Sequence, residues 1–469
     1  MKNLTRREFL EASTAGLGTL AIAPRFSGRP ADTDRPNILL ILTDDQRFDA
    51  MGCAGNPIIQ TPNVDRLARE GVRFERNFVT TPICAASRAS IFTGTFERTH
   101  GYTFTKPPLT PAFTSISYPV VLRKAGYRTG FVGKFGVAVE KGVEEEMFDF
   151  AKFTSLPHVQ TIRGVERHMT EVEGEFVAEF LRGVKPGQPF CLAWCSWAPH
   201  ADDDNPKQYF WPPGVADLYR NVRIPVPEMA APSYYEAQPE FLKHTMSRTR
   251  WAWRFDTPEK YQAMVKGYYR MISGIDLVLG RITAELERLG LDKKTIIIYT
   301  SDNGYFLGER GSADKWLMYE PSIKVPLVVY DPRAPREDRG LVRTDMTLNI
   351  DLAPTIMDFA GVGIPSLIQG SSFRPLLGHK APAWRTEIFC EELWDNPEIP
   401  QSECVRTEGW KFIRYPKHPE YVELFDLRAD PQEKRNLSGD PRQKTVLSGM
   451  RESCDGWIRK LLDARKKFQ

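Results

Sequence analysis

The sequence lacks long apolar runs and long runs of like charge. Beyond the N-terminus, none of its 469 residues belongs to an uninterrupted apolar segment near the ~20 residues that cross a bilayer. Lys and Arg total 63 against 60 Asp and Glu, so the charge balance gives no electrostatic case for nucleic acid. We therefore expect no membrane span and no nucleic-acid partner, and an anionic substrate held by a few well-placed cations.

Cysteine is scarce, and its count of seven is odd. In an exported protein an odd count leaves at least one thiol unpaired or chemically altered. Cys191 and Cys195 lie four residues apart in a predicted strand, which separates their α-carbons by roughly 13 Å. These two residues are expected to be buried thiols that do not bridge each other.

The N-terminal segment has the features of an export signal. Arg6 and Arg7 follow a basic start, a mildly apolar stretch spans residues 12–23, and the small-x-small pattern Ala21-Ile22-Ala23 closes it. The arginine pair predicts that residues 1–30 are a signal of the twin-arginine type and that the protein is periplasmic or secreted. The alternative is an amphipathic N-terminal helix.

Apolar strands alternate with amphipathic helices over residues 31–374, the predicted catalytic domain. This alternation predicts an α/β fold, with a large, mostly parallel sheet flanked by helices. The clearest predicted strands are residues 37–43, 128–135, 189–197, 295–301 and 325–331. The clearest predicted helix, residues 258–290, ends at a glycine.

Two segments depart from this alternation. Residues 201–257 are rich in proline and aromatic residues, and so long a loop is usually functional or disordered; its Trp and Tyr content favours an ordered surface. Residues 375–469 predict a C-terminal α+β subdomain, with a smaller antiparallel sheet and a final helix near residues 440–467.

Four predicted strands end in polar or charged side chains. In open parallel sheets ligands bind at the carboxyl ends of the strands, so these ends can converge. Carboxylate and amide oxygens without a thiolate or imidazole suit Ca²⁺ or Mg²⁺ and argue against Zn²⁺. We expect Ca²⁺, because Mg²⁺ usually keeps several waters and uses fewer carboxylates. The strand-end residues are Asp44, Asp45, Lys134, His200, Asp302 and Asn303.

Cys84 lies between a proline turn and the predicted start of a helix, in TTPICAASRASIFTG. By itself it could be a core residue, half of a disulfide or a reactive group. A helix N-terminus favours bound anions through its free amides and partial positive charge. Arg88, one turn on, could add a bidentate clamp for a tetrahedral oxyanion.

Residues 84–94, CAASRASIFTG, resemble the signature of type I sulfatases, C-x-(P/A)-S-R followed by T-G. Other blocks resemble the same family in its order along the chain: PNILLILTDDQR, GYRTGFVGKF, APH, YTSDNG with DKWLMYEPSIKVPLVVYDP, IDLAPTIMDFAG and ELFDLRADPQEKRNL. The chain thus resembles the formylglycine-dependent sulfatases of the alkaline phosphatase superfamily, bacterial glycan sulfatases in particular. The resemblance implies an alkaline phosphatase-like fold.

The resemblance also implies roles for individual residues. Cys84 would be oxidised to formylglycine by a maturation enzyme and become the nucleophile, with Arg88 steadying the formylglycine hydrate. Lys134 and Lys315 would hold sulfate oxygens, and His200 would protonate the leaving sugar oxygen. The implied metal ligands are Asp44, Asp45, Asp302, Asn303 and an oxygen of the modified Cys84.

Two positions depart from the family pattern. Gly136 stands where a second catalytic histidine is often found, and general acid or base help is typically worth ~10²–10⁴ in rate. His100 or His158 are candidates to replace it. At the P/A position of the cysteine signature this chain has Ala86 and not proline, which bears on the choice of maturation enzyme. In this family that modification acts on an unfolded segment, so we expect it in the cytoplasm before twin-arginine export.

The resemblance implies removal of sulfate from sulfated carbohydrate, N-acetylglucosamine-6-sulfate or a related glycan. One alternative is a phosphodiesterase or phosphonate monoester hydrolase of the same superfold, because tetrahedral phosphate and sulfate need similar clamps. Another is a non-catalytic glycan-binding relative, suggested by Gly136. The presence of all the predicted metal ligands argues against a non-catalytic relative.

Overall fold

The computed structural model describes residues 35–104 and 106–468. The predicted export signal, residues 1–30, lies outside this part of the chain, so it stays a prediction. The boundary predicted between residues 374 and 375 also stays a prediction.

The described strands and helices alternate over much of the chain. The strands are β1 (Asn37–Thr43), β2 (Val72–Phe74), β3 (Asn77–Phe78), β4 (Arg128–Gly133), β5 (Phe150–Phe153), β6 (Val159–Ile162), β7 (Val165–His168), β8 (Phe190–Cys195), β9 (Thr295–Ser301), β10 (Phe306–Leu307), β11 (Ala313–Asp314), β12 (Lys324–Val325), β13 (Leu327–Tyr330), β14 (Leu341–Arg343), β15 (Thr347–Leu348), β16 (Glu387–Glu392), β17 (Ser402–Thr407), β18 (Trp410–Arg414) and β19 (Val422–Asp426). The α-helices are α1 (Pro62–Glu70), α2 (Cys84–Thr93), α3 (Glu97–His100), α4 (Pro111–Thr114), α5 (Tyr118–Lys124), α6 (Val143–Met147), α7 (Met169–Arg182), α8 (Pro232–Glu236), α9 (Glu240–Lys243), α10 (Met246–Arg254), α11 (Pro258–Arg288), α12 (Glu320–Ile323), α13 (Leu352–Phe359) and α14 (Lys444–Lys466).

The central sheet has eight strands in the order β14-β2-β13-β9-β1-β8-β4-β5. Five neighbouring strands, β9, β1, β8, β4 and β5, are parallel, which confirms the predicted α/β fold. The predicted strand at 325–331 forms β13, but it runs antiparallel to both of its neighbours. The chain reaches β13 from β9 without a long crossover helix, so it returns in the opposite direction.

Helices cover both faces of the sheet, which explains why β1 is apolar almost throughout. Leu39 and Ile41 pack on the face covered by α7 and α11. Ile38, Leu40 and Leu42 point to the other face, covered by α2, α5 and α13. Burial on both sides fixes the register of β1, and with it the position of the residues that follow.

The segment 201–257 is ordered, and it contains the three short helices α8, α9 and α10. Tyr209, Tyr219 and Phe255 pack in the core cluster beneath α11. Arg254, at the end of α10, is fully buried. The segment therefore belongs to the folded body.

The C-terminal subdomain contains the four-stranded antiparallel sheet β16-β17-β18-β19, as predicted. The last helix, α14, packs on it through Met450, Cys454 and Leu461. The backbone N–H of Glu391 in β16 donates to the carbonyl of Thr80, 2.8 Å away, just before the Cys84 segment. The subdomain is thus joined directly to the segment that leads into α2.

Two buried carboxyl groups at this junction predict a pH-dependent stability. Glu97 and Glu392 are fully buried, and within the described residues each has one oxygen without a hydrogen-bond partner. Burial raises the pKa of Glu392 from 4.5 to about 8, and burial, then the charge of Glu392, raises that of Glu97. The unfolded chain loses these protons at lower pH, so the free energy of unfolding should fall as pH rises from about 5 to 8. Glu392→Gln should raise it by about 1–3 kcal/mol at pH 8.5 and change it little at pH 5, measured by thermal denaturation.

The exposed Glu398 of the same subdomain provides the control. Glu398→Gln should leave the pH profile unaltered. An effect of Glu392→Gln that is equal at both pH values would contradict the assignment of the slope to Glu392.

Candidate active site

The predicted metal-type residues lie at the carboxyl ends of two adjacent strands. Asp44 and Asp45 follow β1, and Asp302 and Asn303 follow β9. The two strands are parallel and are paired over their whole length. All four residues are at most 1% exposed. Asn303 Nδ2 donates to Asp45 Oδ1 at 2.7 Å, and the backbone N–H of Asp45 donates to Asp302 Oδ1 at 3.2 Å. The parallel pairing therefore brings the four side chains together.

Arg88 faces this carboxylate cluster from the first turns of α2. Its Nε donates to Asp302 Oδ2 at 2.8 Å, and its Nη1 donates to the carbonyl of Lys134 at 2.6 Å. Its Nη2 lies 3.6 Å from Asp44 Oδ2 and is buried without a hydrogen-bond partner in the part of the chain described. One guanidinium N–H pair thus remains available to an incoming oxyanion.

Two lysines complete the charged centre. Lys134, just after β4, forms an ion pair with Asp44 and lies 4.4 Å from the centre of the Trp197 ring. Lys315 Nζ lies 2.5 Å from Asp45 Oδ1. Both lysines are at most 6% exposed, so three buried cations face three buried carboxylates. Positive and negative charges are therefore equal in number in this centre, three of each.

The three carboxylates differ in proton affinity. Burial alone would raise the pKa of Asp44, but the positive charges led by Lys134 hold it well below its usual range. Burial raises the pKa of Asp45 to about 7 despite the opposing charge of Lys315, and it raises that of Asp302 to about 6. Two of the three carboxyl groups therefore lack enough positive charge nearby to offset their burial.

The oxygen atoms of the cluster fit a hard divalent cation. Asp44 Oδ1 and Asn303 Oδ1 are buried and have no hydrogen-bond partner among the described residues. Buried polar atoms normally have a hydrogen-bond partner or coordinate a metal ion, so both oxygens are available to coordinate a cation. The ligand atoms of Asp44, Asp45 and His200 also lie within 4.8 Å of one another. The donor set suits Ca²⁺ or Mg²⁺, and a cation would supply the positive charge that Asp45 and Asp302 lack.

Cys84 is the first residue of α2 and is 6% exposed. Burial raises the pKa of its thiol above the ordinary value, although Lys134 and Lys315 act in the opposite direction. The unmodified group is therefore a neutral thiol at physiological pH, which is a poor nucleophile. Its position suits a reactive group, but its protonation state does not suit thiolate chemistry.

His200 follows β8 and closes another side of the cluster. Its Nδ1 lies 2.6 Å from the carbonyl oxygen of Ala201, so Nδ1 carries a proton, and its Nε2 lies 3.7 Å from Asp45 Oδ2. Burial and the charge of Lys315 lower the pKa of His200 to about 4. The ring is neutral at physiological pH, with Nε2 facing the site.

The two histidines considered as replacements at Gly136 have other contacts. His100 Nε2 bonds Ser90 Oγ at 3.0 Å and its Nδ1 accepts from the backbone of Tyr102 at 3.0 Å, so both ring nitrogens are engaged. His158 Nε2 donates to the carbonyl of His200 at 2.7 Å. His158 thus supports the backbone of His200.

Gly136 itself packs against Arg88. Its φ is +68°, and a Cβ there would lie 3.0 Å from Arg88 Cδ. Gly136→Ala should lower the free energy of unfolding by about 1–2 kcal/mol through left-handed strain. It should also lower kcat/KM for a sulfate ester about 10- to 100-fold, because Arg88 must shift.

Gly126→Ala is the matched control for this substitution, since Gly126 has φ +91° and open space around its Cβ position. It should show the stability loss without the loss of activity, as measured by thermal denaturation and initial rates. Equal kcat/KM in both variants would rule out the contact with Arg88 as the cause.

Some neighbours of the site were not identified from the sequence. Trp197 lies beside Lys134, and its Nε1 donates to the carbonyl of Thr154 at 2.9 Å. Tyr268, in α11, donates to the carbonyl of Asp45 at 2.7 Å. The position of Trp197, three residues before His200, is the only sequence signal that favours it. Tyr268 gives no such signal because α11 is distant in sequence.

A family model described as Sulfatase matches residues 36–362, and one described as N-sulphoglucosamine sulphohydrolase, C-terminal, matches residues 308–460. The chain therefore belongs to the sulfatase family and is a sulfuric ester hydrolase. This result confirms the resemblance seen in the sequence. Members of this family generally use formylglycine and a divalent metal ion.

Relatives cover almost the whole chain. An N-acetylglucosamine-6-O-sulfatase of Bacteroides thetaiotaomicron is 29% identical over 93% of this chain and 89% of its own. An arylsulfatase of Clostridium perfringens is 27% identical over 89% of this chain and 93% of its own. A solved structure in complex with its substrate D-glucosamine-2-N,6-O-disulfate is 27% identical, with a TM-score of 0.77, and covers 92% of this chain and 98% of that one.

Among the helices of residues 35–104 and 106–468, none combines the length and apolar character that crossing a bilayer requires.

Proposed function

We propose that the protein removes sulfate from sulfated carbohydrate, N-acetylglucosamine-6-sulfate or a related glycan, by means of a formylglycine formed from Cys84. The observation that carries this proposal is the position of Cys84 at the start of α2, beside three buried cations and three buried carboxylates. A neutral buried thiol would be a weak nucleophile and would leave a stable S-sulfate. The hydrated formylglycine would instead supply two hydroxyls, one to attack sulfur and one whose deprotonation releases sulfate.

The three cations hold the anion. Lys134 and Lys315 bind sulfate oxygens, exchanging their ion pairs with Asp44 and Asp45 for contacts with the substrate. Arg88 stays anchored on Asp302 through Nε, and its unpartnered Nη2 would steady the formylglycine hydrate. The charge that develops on the sulfate oxygens thus meets preorganised donors in a site from which water is largely excluded.

Asp44, Asp45, Asp302, Asn303 and an oxygen of the modified residue 84 would hold Ca²⁺, with Mg²⁺ the less favoured ion. The unpaired oxygens of Asp44 and Asn303 support this assignment. The ion would stabilise negative charge on the attacking oxygen. With a cation present, Asp45 and Asp302 remain ionised near neutral pH.

His200 protonates the leaving sugar oxygen through Nε2. Because Nδ1 already donates to Ala201, this role needs a second proton on the ring. A bound sulfate ester supplies negative charge beside the ring, while Lys315, which lowers the pKa of free His200, is drawn to the ester. Binding therefore favours the protonated acid form.

The choice of a carbohydrate rests on the relatives. The N-acetylglucosamine-6-O-sulfatase covers 93% of this chain, and the structural neighbour was solved with a glucosamine disulfate. Arg250 and Arg254 of segment 201–257 form ion pairs with Asp314, which precedes Lys315. Trp253, beside Arg250, offers an exposed face for a sugar ring.

Maturation precedes folding and export. Every residue of α2, from Cys84 to Thr93, is buried, so a maturation enzyme could not reach the thiol in the folded protein. Conversion in the cytoplasm followed by twin-arginine export to the periplasm or beyond satisfies this constraint.

Mass spectrometry of the peptide that contains Cys84, from a host able to modify it, tests the proposal together with rate measurements. We expect a formylglycine peptide and faster hydrolysis of an aryl sulfate than of the matched aryl phosphate diester. A fully thiol form with full sulfatase activity would exclude the mechanism. A preference for the phosphate diester would favour the phosphodiesterase alternative.

A further inference from the structure

Helix α10 presents a charged and aromatic face at the edge of the active site. On this helix Arg250 is three residues before Trp253 and four before Arg254, so its side chain lies close to both. The Arg250 guanidinium carbon lies 5.3 Å from the centre of the Trp253 ring. Trp253 is 42% exposed, which is high for so large an apolar side chain. Its ring is therefore available to a ligand.

The two arginines hold one partly exposed carboxylate. Asp203, three residues after His200, forms ion pairs with both Arg250 and Arg254, and its side chain remains 23% exposed. The same arginines reach Asp314 Oδ2, at 2.9 Å and 3.0 Å. Each carboxylate oxygen of Asp203 has lone pairs beyond those used by the arginines. Asp203 is thus a fixed acceptor that faces solvent.

Trp316 connects this face to Cys84. The Arg250 guanidinium carbon lies 5.7 Å from the centre of the Trp316 ring, and Trp316 packs in one cluster with Ile83 and Ala86, on either side of Cys84. Trp316 is 5% exposed, has φ +79°, and its indole Nε1 finds no acceptor within the described part of the chain. Strain in a bulky residue and an orphaned donor are both typical of ligand sites. We call Asp203, Arg250, Trp253 and Trp316 the Asp203 rim.

The Asp203 rim has no surplus positive charge. The charges of Arg250 and Arg254 are balanced by Asp203 and Asp314, and Lys315 is paired with Asp45. Asp202 and Asp204 flank Asp203 and add negative charge. A second sulfate here would meet carboxylates rather than a free cation.

We propose that the Asp203 rim binds the uncharged face of the leaving sugar, with the ring stacked on Trp253 and two hydroxyls held by Asp203 and Arg250. This inference rests on the proposed function and refines its substrate class. The enzyme acts on a sugar that carries one sulfate, at the ester to be cleaved, and it disfavours a sugar with a second sulfate at the rim. A carboxylate fixed by guanidinium groups accepts from sugar hydroxyls, and an exposed indole covers the apolar face of a pyranose.

The test compares kcat/KM for 4-nitrophenyl sulfate, N-acetylglucosamine-6-sulfate and glucosamine-2-N,6-O-disulfate, using the mature enzyme. The wild type should prefer the monosulfated over the disulfated sugar. For Asp203→Asn, kcat/KM for N-acetylglucosamine-6-sulfate divided by kcat/KM for 4-nitrophenyl sulfate should fall about tenfold, because a charged acceptor is lost. It should also shift selectivity towards the disulfate, because one negative charge is removed. These ratios do not depend on the fraction of enzyme that folds.

Trp253→Ala provides a second variant, in which an exposed side chain is removed. It should raise KM for N-acetylglucosamine-6-sulfate about three- to tenfold. Leu462→Ala, which truncates a 44% exposed residue on α14, is the control and should leave KM unchanged.

The outcomes separate the two proposals. The rim proposal alone would be overturned if the enzyme hydrolyses the aryl sulfate but Asp203→Asn leaves the kcat/KM ratios unaltered and Trp253→Ala leaves KM unaltered. A wild type that prefers the disulfated sugar would also overturn it. Absence of activity on every sulfate ester by matured enzyme would overturn the proposed function itself.

Discussion

Cys84→Ala and Cys84→Ser are each expected to lower kcat for a sulfate ester by more than about 10⁴-fold, because the group that attacks sulfur is lost. The cations and carboxylates of the site remain in these variants, so substrate should still bind. Initial rates on an aryl sulfate measure the loss, and equilibrium binding of the ester measures what remains. Thermal denaturation should show a folded protein, since both replacements fit the space of the thiol.

Cys53→Ala is the matched control for the two Cys84 variants. Cys53 is a partly buried free thiol outside the cluster of charged residues. Its variant should keep the wild-type rate. A Cys84 variant with the wild-type rate would remove position 84 from the chemistry altogether.

Removal of divalent cations is expected to abolish hydrolysis and to lower the melting temperature. Chelation leaves Asp44 Oδ1 and Asn303 Oδ1 buried without partners, and Asp45 and Asp302 short of positive charge. Adding Ca²⁺ at a hundred times its Kd should raise the free energy of unfolding by about 2.7 kcal/mol, with Mg²⁺ less effective. Melting curves recorded against Ca²⁺ concentration measure this effect independently of activity.

Asp302→Asn should remove most of the Ca²⁺ dependence of the melting temperature. Asp331→Asn is its control, because Asp331 also follows a strand of the central sheet. That strand, β13, runs antiparallel to β9, so Asp331 lies at the end of the sheet opposite to Asp302. If Ca²⁺ stabilised Asp302→Asn as strongly as the wild type, the cation would have to bind elsewhere.

The residues at strand ends could be predicted because a buried strand has a strong sequence signature. NILLILT and TIIIYTS are apolar on both faces, so Asp44 and Asp302 mark where each strand ends. Whether a strand runs parallel or antiparallel to its neighbours has no such sequence signature. LVVY is equally apolar in β13, and its antiparallel placement depends on the path of the chain between β9 and β13.

Lys315 could be inferred only from the resemblance. It lies in an irregular segment where Asp314 and Trp316 both have positive φ, so no periodic pattern points to it. Its role beside Asp45 depends on how that segment folds back onto β1.

The ion pairs of the Asp203 rim could not be predicted, for a different reason. The run DDDN after His200 and the stretch RTRWAWR both lie in the predicted loop 201–257, and neither has a pattern that pairs it with the other. Only the tertiary structure pairs Asp203 with Arg250 and Arg254, residues that are about fifty positions away. Ion pairs between distant segments have no local sequence signal.

Because β1 lies in the middle of the sheet, we expect the enzyme to lose activity by unfolding as a whole. The end of β1 is tied to the end of β9 by a hydrogen bond from the backbone N–H of Asp302 to the carbonyl of Thr43. It is tied to the segment after β8 by a hydrogen bond from the backbone N–H of Asp44 to the carbonyl of Ala198, and both bonds are 3.1 Å long. We expect these buried amides to exchange with solvent only when the whole domain unfolds, as is typical of core strands. A destabilising substitution elsewhere in the sheet would therefore reduce the number of working molecules and leave the turnover of each folded molecule unchanged.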